Sequence, residues 1–124
     1  MARMTRQRAA IEEAFAHAAR PLSPQEVLAA ASREIADLGL STVYRTLRRL
    51  EEEGLIVPVD VPGEPPRYEL KEAAAHHHHH FHCDSCGKVY DIHGCPSGLA
   101  GLLPPGFVLS GHTIVLHGRC AACA

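Results

Sequence analysis

Two pairs of cysteines constrain the fold of this chain more than any other feature of its 124 residues. Cys83 and Cys86 form one CxxC pair, and Cys120 and Cys123 form the other. Each short spacing lets two sulfurs reach one ion at ~2.3 Å, so the pairs together predict a tetrahedral structural zinc site. Such a site would join the start of a C-terminal domain to its end. Redox-active pairs are the alternative, which is disfavoured by Gly87 after the first pair and by the lack of a thioredoxin-like strand–helix–strand pattern.

A run of five histidines, residues 76–80, stands just before the first cysteine pair. An expression tag is the alternative, but the run lies inside the chain and close to a CxxC motif. In an extended strand, His77 and His79 would face one way, and His78 and His80 the other. The run therefore predicts two separate metal sites. Imidazole ligands favour zinc, nickel or copper over harder ions.

Single residues outside the histidine run are candidates for the remaining ligands. His112 is a candidate third ligand for one site, with Cys95 or His93 as the fourth. Glu69 is a candidate for the second site, and Asp60 is a further option there. The alternatives are a buried thiol at Cys95, a hydrogen-bonded histidine at a strand end, and an exposed carboxylate on a loop.

The N-terminal part of the sequence predicts a winged helix-turn-helix domain. The predicted helices span about residues 4–18, 24–32 and 42–53, and the predicted strands span about 55–61 and 67–70. We expect Thr5, Ser23 and Ser41 to cap the three helices. At Ser23 the signal is strongest, because Pro24 follows it and Glu26 completes a capping box. Three helices followed by a two-stranded hairpin is the order of a winged helix.

The C-terminal part predicts a small α+β domain. Its expected elements are a strand at 88–92, a short helix at 97–103, and two strands near 107–109 and 113–117. So small a domain buries little apolar area, so a structural metal and dimerisation would both stabilise it. The predicted boundaries are therefore a DNA-binding domain at 1–72, a linker at 73–75 and a metal-binding dimerisation domain at 76–124. The fold class is α+β.

The third predicted helix carries the features of a DNA reader. Ser41, Thr42, Tyr44 and Arg45 lie at its N-terminal end, where a helix-turn-helix protein meets base edges and phosphates. Eight arginines against five acidic residues also make residues 1–50 basic. Double-stranded DNA is therefore the predicted partner. An amphipathic helix with a solvated basic face is the alternative.

Composition excludes several other classes of protein. The N-terminal residues do not resemble a signal peptide, and no apolar run approaches the ~18 residues of a membrane span. The sequence thus predicts a cytoplasmic chain with no membrane partner, in which five cysteines favour metal chemistry over disulfides. No orienting His/Asp arrangement and no acid–base pair is evident, so we expect neither an enzyme nor a small organic substrate.

Taken together, the motifs resemble those of the ferric uptake regulator (Fur) family. The matching segments are STVYRTL at 41–47, EEGLI at 52–56, TRQR at 5–8, RYEL at 67–70, CDSCGKV at 83–89, and His112 with the final CxxC pair. The resemblance implies a dimeric repressor whose metal-loaded form binds A/T-rich inverted repeats at promoters of metal-homeostasis genes.

The resemblance also implies roles for individual residues. Tyr44 and Arg45 would contact DNA, and Arg3 would reach a minor groove. Structural zinc would be held by Cys83, Cys86, Cys120 and Cys123. One regulatory set would be His77, His79 and His112, and a hinge set would be Glu69, His78 and His80.

Three departures from the family pattern refine this interpretation. His79 stands where iron and peroxide sensors of the family usually have Asp, which favours zinc and the zinc uptake regulator (Zur) branch. Gly98 stands where a Glu ligand is expected, and Cys95 would substitute for it. Pro21 stands where a His often precedes helix 2, which leaves the hinge ligands open.

The sequence thus predicts a repressor that depends on zinc, which would be both a structural and a regulatory cofactor. Zinc at the hinge would lock the two winged helices of a dimer at a spacing that matches DNA. The alternatives are an iron, nickel or peroxide sensor of the same family, or a His/Cys-rich metal-storage or thiol-redox protein.

Overall fold

The computed structural model of the chain describes residues 2–74 and 79–124, with side chains from Met4 onward. These residues form two compact units, divided between residues 76 and 77. The longest described helix has 17 residues, and no described helix combines the length and apolar character that a membrane span requires.

Three helices build the core of the first unit. They are α1 (Ala2–Ala18), α2 (Pro24–Ala31) and α3 (Leu40–Glu52). Ile11, Val27 and Leu47, one from each helix, are almost fully buried in a single apolar cluster. The start of α2 confirms the predicted capping box, in which the Ser23 hydroxyl accepts from the Glu26 N–H and the Glu26 carboxylate accepts from the Ser23 N–H.

Two predicted helix caps are wrong. The N-cap of α3 is Gly39, which makes no side-chain cap, and Ser41 lies inside the helix. Likewise α1 begins at Ala2, so Thr5 is an interior residue. A helix whose apolar face is buried gains most of its stability from packing, so it can extend beyond the residue that would cap it in isolation.

A two-stranded antiparallel wing follows the helices. β1 (Ile56–Val59) pairs with β2 (Arg67–Leu70), with Ile56 opposite Leu70. An isolated bridge between Leu22 and Tyr68 joins the segment before α2 to β2. A further short helix, α4 (Lys71–Ala74), follows β2 at once. Ala73 and Ala74, the described part of the predicted linker, lie in this helix, which alanine favours. The boundaries of the predicted linker stay a prediction.

The second unit is a three-stranded sheet. Its strands are β3 (His79–Cys83), β4 (Val89–Ile92) and β5 (Val115–Gly118), in the order β4-β3-β5. β3 runs antiparallel to β4 and parallel to β5. Together with the first unit, this sheet confirms the predicted α+β class and the winged-helix N-terminal part.

The segment between β4 and β5 is less regular than predicted. The expected helix at 97–103 is a single 3₁₀ turn, Leu99–Leu102, which Gly98 precedes in a left-handed conformation (φ 81°). No strand forms at 107–109 in the described chain. Proline and glycine at 104–106 end the turn, and the apolar side chains that follow lie exposed instead of pairing with the sheet.

Candidate metal centres and nucleic-acid interface

The four cysteines of the two CxxC pairs come together at one end of the sheet. All four sulfur atoms lie within 4.8 Å of one another, and Cys86 Sγ is 3.8 Å from Cys120 Sγ. Cys83 ends β3 and is paired in register with Gly118 of the parallel strand β5. The Asp84 N–H donates to the Gly118 carbonyl at 2.7 Å. The parallel pairing of β3 with β5 therefore places the second cysteine pair, which follows β5, beside the first.

Backbone N–H groups donate hydrogen bonds to a sulfur of this cluster and favour its ionised form. The N–H groups of Cys86 and Cys120 both donate to Cys83 Sγ at 3.4 Å. These two hydrogen bonds lower the pKa of Cys83 to about 6, because they stabilise its thiolate. Gly87 completes the turn with an N–H bond to the Cys83 carbonyl and a φ of 76°, which favours glycine.

The pKa of Cys123 indicates that the four-sulfur cluster needs a cation. The neighbouring sulfurs of Cys120 and Cys83 raise the pKa of Cys123 to about 12. Four ionised sulfurs in so small a volume repel one another unless a cation lies among them. Four thiolates are a donor set that zinc prefers, so these residues fit a structural zinc ion.

A second cluster lies on another part of the same unit. His79 on β3 is 4% exposed, and its Nε2 lies 3.1 Å from His112 Nε2. Cys95 Sγ lies 3.0 Å from the same His112 nitrogen. The three ligand atoms lie within 4.8 Å of one another. Three separate segments, namely β3, the loop after β4 and the loop before β5, thus supply two nitrogens and one sulfur to one point.

The next histidine of β3 has a different partner. His80 is opposite Asp91 of β4 in the strand register, and His80 Nε2 lies 3.2 Å from Asp91 Oδ1. Both side chains are largely shielded from solvent. Sequence reasoning missed Asp91. An acidic residue within the apolar strand 89–92 is the signal that could have indicated it.

The remaining candidate ligands are His77, His78, Glu69, Asp60 and His93. His77 and His78 lie outside the described residues. Glu69 is buried on β2 of the first unit, so the hinge set stays a prediction. Asp60 and His93 are both exposed, and neither joins the metal-ligating clusters found among the described residues.

The exposed face of α3 carries the candidate DNA-binding side chains. Val43 is fully buried, whereas the neighbouring Tyr44 is 48% exposed. Arg45 is also exposed, and its Nη2 donates to Thr42 Oγ1 at 3.1 Å. Ser41 is exposed at the start of the helix. The side chain of Arg3 lies outside the described residues.

Sequence reasoning missed a cationic groove beside this face. It lies between α1 and α3 and is lined by Thr5, Gln7, Arg8, Thr42, Arg45, Thr46 and Arg49, together with Met4. Arg8 makes a two-pronged ion pair with Glu53, at 2.7 and 3.0 Å. Arg45 and Arg49 thus supply the cationic side of the groove, next to hydroxyl donors suited to a phosphate. Their four-residue spacing on one helix is the signal that could have indicated it.

Comparison with known proteins agrees with these features. The model of the ferric uptake regulator family matches residues 1–97. The ferric uptake regulation protein of Bordetella parapertussis is 34% identical over 109 residues, which cover 84% of this chain and 76% of that protein. The zinc uptake regulation protein of Escherichia coli is 32% identical over 87 residues, which cover 66% and 50%.

A solved structure gives the same result. The crystal structure of FurB from M. tuberculosis, a zinc uptake regulator, is 31% identical and has a TM-score of 0.53, with 99% of this chain and 96% of that chain covered. The chain therefore belongs to the ferric uptake regulator family of metal-dependent transcription regulators and is not an enzyme.

Proposed function

We propose that this regulator is a zinc-dependent repressor, which binds A/T-rich inverted repeats as a dimer and controls metal-homeostasis genes. The observation that carries the choice of metal is the cluster of His79, Cys95 and His112. Imidazole and thiolate ligands suit zinc, whereas carboxylate-rich sets suit harder ions. The similarity to zinc uptake regulators supports the same metal.

Two zinc ions would have different tasks in the second unit. One zinc ion, held by the four cysteines, would join the strand ends. It would stabilise the sheet, which buries few apolar side chains of its own. The other, held by His79, Cys95 and His112 with His77 as the proposed fourth ligand, would be regulatory. When bound, a regulatory zinc supplies positive charge and a fixed tetrahedral geometry.

Binding to DNA would use the exposed face of α3. Tyr44 and Arg45 would meet base edges in the major groove, and Ser41 and Thr42 would meet phosphates. We place Arg3 at an adjacent minor groove. The cationic groove between α1 and α3 would seat a further phosphate beside Arg49.

Exposed apolar side chains of the second unit support a homodimer. Leu102, Phe107, Val108 and Leu116 are each at least 50% exposed. A partner chain often covers large apolar side chains that a single chain leaves exposed. A second copy of the unit would bury them.

The proposed switch is a population shift. Zinc must bind the DNA-competent arrangement of the dimer more tightly than the open one, by about 5 kcal/mol for a complete switch. In the proposal, Glu69, His78 and His80 supply the hinge ligands that make this difference. Replacing His78 and His80 with Ala would then abolish the zinc response of DNA binding and preserve the fold.

Fluorescence anisotropy on DNA from upstream of the chain's own gene tests the function. Free zinc is buffered over a wide range, with parallel Fe(II) and nickel series at fixed salt and a scrambled inverted repeat as the control DNA. We expect tight binding that zinc restores and a chelator removes. Binding driven by Fe(II) or nickel would contradict the choice of metal, and metal binding without DNA binding would indicate a storage protein.

A further inference from the structure

Cys95 differs from the other four cysteines in its surroundings. It lies outside the four-sulfur cluster and is exposed to solvent. His79, its partner in the second cluster, is buried, and His112 is half-buried. The single thiol of the second cluster is therefore also its solvent-facing member.

Three of the four cysteines in the other cluster are more shielded from solvent than Cys95. Cys83 is buried, and two N–H donors draw electron density from its sulfur. Cys120 and Cys123 are half-buried. Cys86 is exposed, but its sulfur lies 3.8 Å from Cys120 Sγ within the four-sulfur cluster. Cys95 is thus an exposed thiol with imidazole neighbours and no second sulfur in its cluster, whereas Cys86 has another sulfur beside it.

We propose that Cys95 is a reversible oxidation site, at which hydrogen peroxide disables the regulatory metal site. This inference rests on the proposed function, because it concerns the regulation of the same site. The Cys95 thiolate attacks one oxygen of peroxide and forms an S–O bond as the O–O bond breaks, so that Cys95–S⁻ and H₂O₂ give Cys95–SOH and OH⁻. Sulfur is oxidised by two electrons, and the hydroxide that leaves takes up a proton from solvent to form water.

The consequence follows from the small number of ligands. Oxidation removes the only sulfur donor among the described ligands and leaves His79 and His112, with His77 as the proposed further imidazole, to hold the ion. A low-molecular-weight thiol restores the site in two steps. In the first step, one thiol molecule reacts with the sulfenic acid to form a mixed disulfide with Cys95, and water leaves. In the second step, another thiol molecule attacks this mixed disulfide, which releases Cys95 as the thiol and gives the disulfide of the small thiol.

The test compares the zinc-loaded full chain with its Cys95→His variant, which keeps a zinc ligand but lacks the thiol. Each is treated with hydrogen peroxide in the presence of a sulfenic-acid trap. Peptide mass spectrometry then locates the trapped cysteine, and a chromogenic chelator reports released zinc. In the original chain we expect the trap on Cys95 first, with a fall of ~10-fold or more in affinity for the regulatory zinc. In the variant we expect both zinc ions to be retained at the same dose.

Two results would overturn the proposal. One is first trapping at Cys86, Cys120 or Cys123, and the other is equal zinc release from the variant. The site of trapping and the amount of zinc released are both measured without DNA. They therefore test the oxidation of Cys95 even if zinc fails to drive operator binding and the proposed function is wrong. Circular dichroism checks that the exposed substitution leaves the fold intact.

Discussion

The Nε2 atoms of His79 and His112 lie 3.1 Å apart although 33 positions separate the two residues in sequence. His79 reaches this point from the first residue of β3, and His112 reaches it from the segment that leads into the parallel strand β5. Two adjacent imidazole nitrogens are directed at one point, with the sulfur of Cys95 beside them. This relationship defines the centre that the first prediction addresses.

Replacing His112 with Ala removes the residue that contacts both other members of the cluster. We expect the affinity for the regulatory zinc to fall by ~10- to 100-fold, because even an outer partner of a ligand contributes that much. Competition with a zinc chelator measures the affinity. His93→Ala is the matched control, since His93 is exposed and outside the described clusters. The same loss in both variants would mean that His112 is no ligand.

Replacing Cys120 with Ser disrupts the four-sulfur cluster. We expect the second unit to lose its fold, because Cys83, Val89 and His79 are its only described residues that are almost fully buried, and structural zinc in small domains supplies ~10 kcal/mol or more. Hydrogen exchange resolved along the chain would show β3 and β5 exchanging quickly, with α1 to α3 still protected. Cys95→Ser is the control that should keep protection in all strands. A protected sheet in the Cys120 variant would contradict a structural role for the zinc.

Glu26 should make the stability of the first unit depend on pH. Partial burial favours the neutral acid, but the Ser23 N–H and Arg20 outweigh it and lower the pKa of Glu26 below its ordinary value. Its stabilising contribution is therefore fully present above the ordinary pKa and is lost as pH falls below it.

The variant Glu26→Gln tests this dependence by urea unfolding. We expect a loss of about 1 kcal/mol at about pH 7, which shrinks as pH falls through the lowered pKa of Glu26. The comparison is with Glu52→Gln, which removes an exposed carboxylate from the end of α3. A constant difference between Glu26→Gln and the original chain at every pH would show that the carboxylate charge is not what stabilises the helix start.

Much of the first unit could be predicted from sequence because its signals are local. Ser23, Pro24 and Glu26 specify a helix start within four residues, and the apolar spacing of Val43, Leu47 and Leu50 identifies the buried face of α3. The start of α3 at Leu40 could not be predicted in this way. It depends on packing within the helical core, and no single capping residue in the sequence indicates that packing.

The second unit was harder to predict because its order depends on distant contacts. The short spacing within each CxxC pair predicts the four-cysteine cluster. By contrast, the approach of Cys95 to His112 depends on the path of an irregular segment back to β5. The apolar residues at 107–109 have the composition of a strand. They form none in the described chain, where Phe107, Val108 and Leu109 lie exposed. The placement of Asp91 opposite His80 likewise required the register of β3 and β4.

Replacing Arg45 with Ala should weaken binding to the operator. We expect a loss of about 1–3 kcal/mol and a relaxed preference at one base pair, because an arginine at this end of the helix can make a two-pronged contact with guanine. Metal content should not change, since Arg45 is remote in sequence from every cysteine and histidine ligand. Arg33→Ala, which removes an exposed arginine after α2, controls for the change in net charge. Equal loss in both variants would indicate a general electrostatic effect.

Replacing Val108 with Glu should dissociate the proposed dimer. Val108 is 88% exposed and Phe107 is 65% exposed, so a charge here costs little in the isolated unit but lies within the apolar surface that a second copy would cover. We expect light scattering to report a monomer, with the zinc content of the four-cysteine cluster unchanged. Pro62→Glu, on the exposed turn between β1 and β2, adds the same charge elsewhere and should leave a dimer. A Val108 variant that stays dimeric would show that the subunits associate through a different surface, and the exposed apolar residues near Phe107 would then need another explanation.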